Sequence, residues 1–189
     1  MGIIEGISIK NYGSLKNVTL GKTRTHQANK PLSNMTTIIG PSGNGKSTFA
    51  DVFGFIADCL DVGVEAACDA NNRGGFEQIR SQGVEEPIMI ELYYRESSNT
   101  RPITYELSID LDKTGRPFVK EERLRQRVER RGGPKSFLHL QNGVGYAFEG
   151  SIGGQDDETG ASDGTKVPVE LSDNRKLGVV TLGAMKQYS

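Results

Sequence analysis

The chain has 189 residues, 23 Lys and Arg against 24 Asp and Glu, a formal net charge of -1, and 35% hydrophobic content. That length supports one domain, or one domain with a sizeable subdomain, around a real core. The near-neutral charge removes any global electrostatic case for a nucleic-acid or membrane-surface protein. Cys59 and Cys68 are poorly spaced for a disulfide on a helix, and with only His26 and His139 they make no metal-ligand pattern. No apolar run approaches membrane-spanning length and the N-terminus lacks a signal-peptide layout, so a reduced, cytoplasmic protein is expected.

Residues 3–10 alternate as a strand with one buried face. Asn11-Tyr12-Gly13-Ser14 is turn chemistry, and Leu15 to Leu20 reads as the returning strand of a hairpin. After a polar loop over 21–34, Met35-Thr36-Thr37-Ile38-Ile39 is a short apolar, β-branched run expected to be a central strand. Beyond residue 46, Phe49, Val52, Phe53, Ile56, Leu60 and Val64 recur at helical spacing, which predicts one face packed on a sheet. Gly63 and Asn71-Asn72-Arg73-Gly74-Gly75 mark the decay of that helix into a loop.

From residue 86 the pattern becomes strand-like: Ile88 to Tyr94, Ile103 to Leu111, Phe118 to Val128, Phe137 to Leu140 and Val144 to Phe148. Turn signals separate these runs, the strongest being Asn142-Gly143, and an antiparallel meander follows. Residues 150–174, rich in Gly, Asp and Ser, read as a polar loop, and Lys176 to Tyr188 as a final helix. Three segments result: 1–84 with the hairpin, the central strand and its helix, 85–149 with the meander, and 150–189 with the polar loop and terminal helix.

Between the expected strand and helix lies Gly40-Pro41-Ser42-Gly43-Asn44-Gly45-Lys46-Ser47-Thr48, which matches G-x-x-x-x-G-K-[ST] at every fixed position. Glycines at 40, 43 and 45 let consecutive backbone N–H groups turn toward phosphate oxygens. Lys46 adds a mobile positive charge for the outer phosphates, and the Ser47 hydroxyl is placed to ligate Mg2+. A helix N-terminus directly after the loop favours an anion through its unpaired N–H groups and its dipole. The cofactor-binding set is therefore Gly40, Ser42, Gly43, Asn44, Gly45, Lys46, Ser47 and Thr48. Lys46 is the catalytic candidate and Ser47 the metal ligand.

Ile7-Ser8-Ile9-Lys10-Asn11-Tyr12-Gly13-Ser14-Leu15, Thr37-Ile38-Ile39-Gly40 and the phosphate loop together resemble the start of SMC/RecF-type ATPases of the ABC-like class. Arg73 to Gly83 is similar to a segment in a family of predicted bacterial AAA-type ATPases of that branch. The resemblance implies an α/β phosphate-loop NTPase core of ABC-ATPase type beside an antiparallel β-rich subdomain, here an incomplete N-terminal portion. It further implies that two subunits sandwich ATP and Mg2+, that Thr48 reaches the inner phosphate, and that the turn from Lys10 to Gly13 lies near the nucleotide. Several relatives carry an arginine where this chain has Gly13, so that turn receives no binding role of its own.

Hydrolysis also needs carboxylates, one for Mg2+ and one for water. Ile88-Met89-Ile90-Glu91 and Leu107-Ser108-Ile109-Asp110 come nearest to the relatives' acidic strand end, but each alternates like an ordinary half-buried strand. Ser151-Ile152-Gly153-Gly154-Gln155 resembles the signature loop of the family, yet Ile152 replaces its serine and three acids follow. In relatives these parts lie further toward the C-terminus, so the chain is expected to need a C-terminal ATPase lobe or partner subunit. The completed protein is expected to form a nucleotide-dependent homodimer.

Arg123, Arg125 and Arg127 alternate on one predicted strand, a stripe that either meets nucleic acid or is solvated and balanced by Glu121, Glu122 and Glu129. Gln78, Gln82 and Gln141 are equal candidates for the lid glutamine of such heads, and His139 has no evident catalytic partner. The favoured reading is an ATP-binding lobe of an SMC/RecF-like ATPase. The alternatives are a self-contained kinase or GTPase and a non-catalytic, nucleotide-dependent nucleic-acid-binding module.

Overall fold

The structure is a computed structural model that describes residues 2–97, 99–126, 134–150 and 164–186. The strands are β1 (Ile3–Tyr12), β2 (Leu15–Gly21), β3 (Ile88–Arg95), β4 (Ile103–Leu111), β5 (Pro117–Gln126), β6 (Lys135–Gln141), β7 (Val144–Gly150) and β8 (Gly164–Glu170). The helices are α1 (Lys46–Val62), α2 (Val64–Asp69), α3 (Phe76–Ile79) and α4 (Gly178–Lys186). All eight strands join one antiparallel sheet in the order β2-β1-β3-β4-β5-β6-β7-β8. The N-terminal hairpin and the meander are thus continuous, because β1 pairs with β3 on the edge that β2 leaves open. Asn142 and Gly143 both have positive φ, the backbone that a two-residue hairpin between β6 and β7 requires.

The sheet sorts its residues by the period-two alternation of strands. Ile7, Ile9, Ile88, Ile90, Leu107 and Ile109 are buried on one face, where Val52, Phe55, Ile56 and Cys59 of α1 and Val64 and Ala67 of α2 join the same core. Val52 and Ile56 follow the expected stripe, but Phe55 and Cys59 complete the buried face, while Phe49 and Phe53 are only partly covered and Leu60 is exposed. The helix carries a wider apolar girth than one sheet face can cover. Gly63, at φ 89°, ends α1 where the chain from 173 to 176 crosses. A Cβ there would lie 2.9 Å from the Arg175 carbonyl oxygen, which accepts the Val64 N–H at 2.8 Å.

Two sequence expectations are corrected. Residues 35–39 form no strand: Met35 is 85% and Ile39 89% exposed, and no strand among the described residues pairs with the run. The antiparallel sheet satisfies its inner strands from the hairpin and meander alone, so an α/β core built on a central strand over 35–39 is not what forms. The polar stretch 150–174 contains a strand, β8, which pairs with β7 from Val144↔Glu170 to Gly150↔Gly164. Val167 and Val169 supply its β-branched pattern behind the glycine-rich segment. Residues 151–163 lie outside the described residues, as do Arg127 to Gly133 and the last three positions of the chain.

Two buried charges lock the helical layer to the sheet. Arg73, whose side chain is 4% exposed, donates to Asp51 at 3.0 Å from Nε, to Asp58 from Nη1 and to the Ala67 carbonyl at 3.0 Å. Tyr12 at the end of β1 donates to the same Asp51 carboxylate at 2.6 Å, so strand, helix and the 73–75 loop share one node. Burial pushes the Asp51 carboxyl upward, but the hydrogen bonds from Arg73 and Tyr12 outweigh it and hold it below the usual carboxylate range. Glu122 is fully buried among apolar residues of the helical face. Its carboxylate accepts from the amides of Gly178 and Val179 at the start of α4 and from the Tyr105 hydroxyl at 3.0 Å. Desolvation nevertheless raises its pKa above the usual range.

Arg73→Ala leaves Asp51 and Asp58 without their cation and is expected to cost about 3 kcal/mol in urea denaturation. A loss under about 1 kcal/mol would mean that the node contributes little. Glu122, with its raised pKa, binds its proton more tightly when folded than unfolded. Its contribution is therefore greatest below the ordinary carboxylate range and declines as pH rises toward the raised value. Glu122→Gln is expected to flatten that part of the stability profile, measured as the change in urea midpoint between acidic and neutral pH. Glu122→Ala, which also orphans two helix amides, is expected to cost about 2 kcal/mol at either pH.

Candidate nucleotide site

The phosphate-loop residues come together at the N-terminus of α1. Pro41 to Asn44 are exposed, and Gly43 and Gly45 have φ of 85° and 79°, the left-handed backbone that turns successive N–H groups inward. Gly40 does not take that conformation. A Cβ at Gly43 would meet nothing within 4 Å, so the space beside that glycine is open. The first turn of α1 has no acidic residue and its N-cap, Gly45, makes no side-chain cap, which leaves the helix-end amides available to an anion. Lys46 folds back over the loop, and its Nζ donates to the carbonyl oxygens of Gly40 at 2.7 Å and Pro41 at 2.6 Å. Ser47 is exposed, and Thr48 is half-buried on the helix side facing the hairpin. The donor set, a lysine, the hydroxyls of Ser42, Ser47 and Thr48 and the helix-end amides, fits a polyphosphate with its counter-cation.

The β1–β2 turn forms one wall of this loop. Gly13 has φ 53°, and a Cβ there would lie 2.8 Å from Thr48 Cγ2. Ser14 Oγ donates to Thr48 Oγ1 at 3.2 Å. The turn is braced from behind by the end of α3 and the segment after it: Gly13 N–H donates to the Ile79 carbonyl at 2.6 Å, Ser81 Oγ to the Gly13 carbonyl at 2.8 Å, and Ser81 N–H to the Asn11 carbonyl at 3.0 Å. This is how the Arg73–Gly83 segment reaches the site. The family resemblance singled out both stretches, Arg73 to Gly83 and the turn from Lys10 to Gly13, but spacing along the chain does not reveal that they meet.

The remaining candidates lie elsewhere. Glu91 alternates with the buried Ile90, so it projects from the opposite sheet face to α1, where it accepts the Arg24 N–H at 2.7 Å. Asp110 alternates with buried Ile109 and binds Lys120 Nζ at 2.8 Å. Neither carboxylate faces the phosphate loop. The glycine-rich run Ser151 to Gln155 lies outside the described residues, as does Arg127. Arg123 and Arg125 do share a face and line a cleft of about 550 Å³ with Arg24, Lys10, Glu91 and Glu106. Each is matched by a carboxylate: Arg125 and Arg24 on Glu106, Arg123 on Glu121 at 3.2 Å. His139 joins the same group through Glu121 at 2.8 Å, with the Tyr146 ring edge-on at 5.9 Å. Gln78, Gln82 and Gln141 are all exposed, on α3, in the loop after it and at the end of β6. Cys59 and Cys68 are free and buried, and burial pushes the Cys68 thiol up to about 12, which makes it inert near neutral pH.

No helix among the described residues is long and apolar enough to cross a membrane. No curated protein and no solved structure matches the chain. The family model described as "AAA domain, putative AbiEii toxin, Type IV TA system" matches residues 35–166, more than two thirds of the 189-residue chain. That span contains the whole phosphate loop and the meander to which it is joined. The chain belongs to this AAA family, whose members are built on a phosphate-loop, nucleotide-binding ATPase domain.

Proposed function

We propose that this chain binds Mg-ATP through residues 40–48 and serves as the ATP-binding lobe of an SMC/RecF-like ATPase. The observation that carries the reading is the open, acid-free helix end behind Gly43 and Gly45, with Lys46 already curled over the loop. Lys46 exchanges its two carbonyl partners for the outer phosphates, Ser47 ligates Mg2+, and Thr48 with the amides of Ser42 to Thr48 holds the inner phosphate. In the completed ATPase, water would attack the terminal phosphorus of ATP, breaking the phosphoanhydride bond and releasing ADP and phosphate.

Hydrolysis then depends on carboxylates from a C-terminal ATPase lobe or a partner subunit, in a nucleotide-dependent homodimer. Two features support that dependence. Glu91 and Asp110 face away from the loop, and the run Met35 to Ile39, which no described strand pairs, lies beside an apolar groove of about 430 Å³ lined by Leu32, Ile38, Phe49 and Phe53. An added strand would cover this run and the uncovered side of α1 together. A self-contained kinase or GTPase lacks support because neither Glu91 nor Asp110, the candidate carboxylates among the described residues, faces the loop. The nucleic-acid reading is weakened by the glutamates that neutralise Arg123 and Arg125.

Calorimetric titration of the chain with Mg-ATP is expected to show binding that Lys46→Ala weakens about ten- to a hundredfold, the worth of a charge-assisted contact. Ser47→Ala is expected to remove most of the gain that Mg2+ gives over ATP alone. Equal affinity of Lys46→Ala and the parent would overturn the assignment. Steady turnover by the chain alone would overturn its dependence on outside carboxylates.

A further inference from the structure

We propose that Ser14, in the β1–β2 turn, is a positioning residue of the nucleotide site, acting through Thr48 to aim its hydroxyl at the bound phosphates. The proposal rests on the Mg-ATP reading above and extends it to a part of the chain outside the phosphate loop.

Thr48 is the third residue of α1, and a threonine in a helix divides between two rotamers because its Oγ1 can turn back to bond a carbonyl of the preceding turn. In that back-bonded state its proton is spent on the helix. Here two contacts from the hairpin oppose it. The backbone of Gly13 packs on the Thr48 methyl so closely that a Cβ at position 13 would lie 2.8 Å from Cγ2. The Ser14 hydroxyl donates to Thr48 Oγ1 at 3.2 Å, filling an acceptor site and leaving the threonine proton to be given away. A hydroxyl that accepts one hydrogen bond is a stronger donor in the next. Methyl and hydroxyl are thus each assigned a side by a different residue of the same turn.

The turn can impose this choice because it is itself held. Gly13 bonds the Ile79 carbonyl through its N–H and Ser81 through its carbonyl, and the Asn11 side chain donates to the Pro87 carbonyl at 2.9 Å. Ser14 also closes on the loop at a second point, since a Cβ on Gly45 would lie 2.8 Å from Ser14 Oγ. Position 13 is glycine at positive φ, so no side chain from the turn intervenes between its backbone and Thr48. The ordinary alternative is that Ser14 satisfies its own hydroxyl on the nearest acceptor. That alternative predicts no dependence of its effect on Thr48.

The test is calorimetric titration of the 189-residue chain with Mg-ATP and with Mg-ADP, comparing the parent, Ser14→Ala, Thr48→Val, the double variant and Ser14→Thr, with thermal midpoints recorded without nucleotide. Ser14→Ala is expected to weaken both nucleotides about fivefold, the worth of one hydrogen bond, with the nucleotide-free midpoint unchanged. The double variant is expected to bind no more weakly than Thr48→Val, and Ser14→Thr to recover most of the parent affinity. Parent-like binding by Ser14→Ala, or losses that add in the double variant, would overturn the proposal. Lys46→Ala, run alongside, separates the two levels: if it binds like the parent, the nucleotide reading fails, whereas its loss of binding beside a parent-like Ser14→Ala discards Ser14 alone.

Discussion

The apolar contact between α1 and the sheet is the constraint on which the candidate nucleotide site hangs. Val52, Phe55, Ile56 and Cys59 are buried against the isoleucines of β1 and β3, and the N-terminus of the same helix carries the phosphate loop. Because a helix is stiff over its 17 residues, fixing its middle fixes where its first amides point. Burying four such side chains contributes several kcal/mol, on the order of 1.5–3 for each large one. The exposed loop contributes little of its own, so the site borrows its order from that core. The Arg73 node adds direction to this contact. Apolar packing tolerates sliding, whereas a guanidinium shared by Asp51 and Asp58, with Tyr12 on the same carboxylate, does not.

The two sheet faces solve different problems. The helical face is apolar apart from Glu122, which is tolerated there because two backbone amides and a phenol satisfy its oxygens. That one carboxylate accepts the first two amides of α4 and holds the helix start against β5 and β6. Gly178 allows the approach, since a Cβ there would lie 2.5 Å from Leu140 Cδ1. The opposite face is a lattice of half-exposed ion pairs in which Glu106 pairs with Arg24 and Arg125 and Glu121 pairs with Arg123 while hydrogen-bonding His139. Such pairs contribute little singly, and their effect is to keep a broad sheet face wet and close to neutral.

The hairpin turn and the 73–83 segment show how a fold builds a wall for a loop that cannot hold itself. The turn presents Gly13 and Ser14 to Thr48, and Ile79 and Ser81 hold the turn from the far side. Three stretches far apart in the chain therefore meet within one hydrogen-bonded chain of contacts, and none of them is regular secondary structure throughout.

Local pattern was enough for much of this protein. The spacing of Gly40 to Thr48, the hairpin at Asn11 to Ser14, the amphipathic helix from Lys46 and the Asn142-Gly143 turn are all legible in the sequence, because each depends on residues within a few positions of one another. The run over 35–39 has strand composition, but whether it pairs depends on a neighbouring edge, and no described strand of the sheet takes it as a neighbour. Likewise β8 is short and follows a glycine-rich stretch, so only the β7 edge makes it a strand. Glu122 reads as one more surface acid until α4 arrives above it, and Arg123 and Arg125 read as a basic stripe until Glu106 and Glu121 close on them. Sequence by itself determined which residues have the chemistry to grip a phosphate. Tertiary structure decided which charges are cancelled, which strand edges are taken and which hydroxyl stands beside Thr48, because burial and pairing are set by residues brought together from opposite ends of the chain.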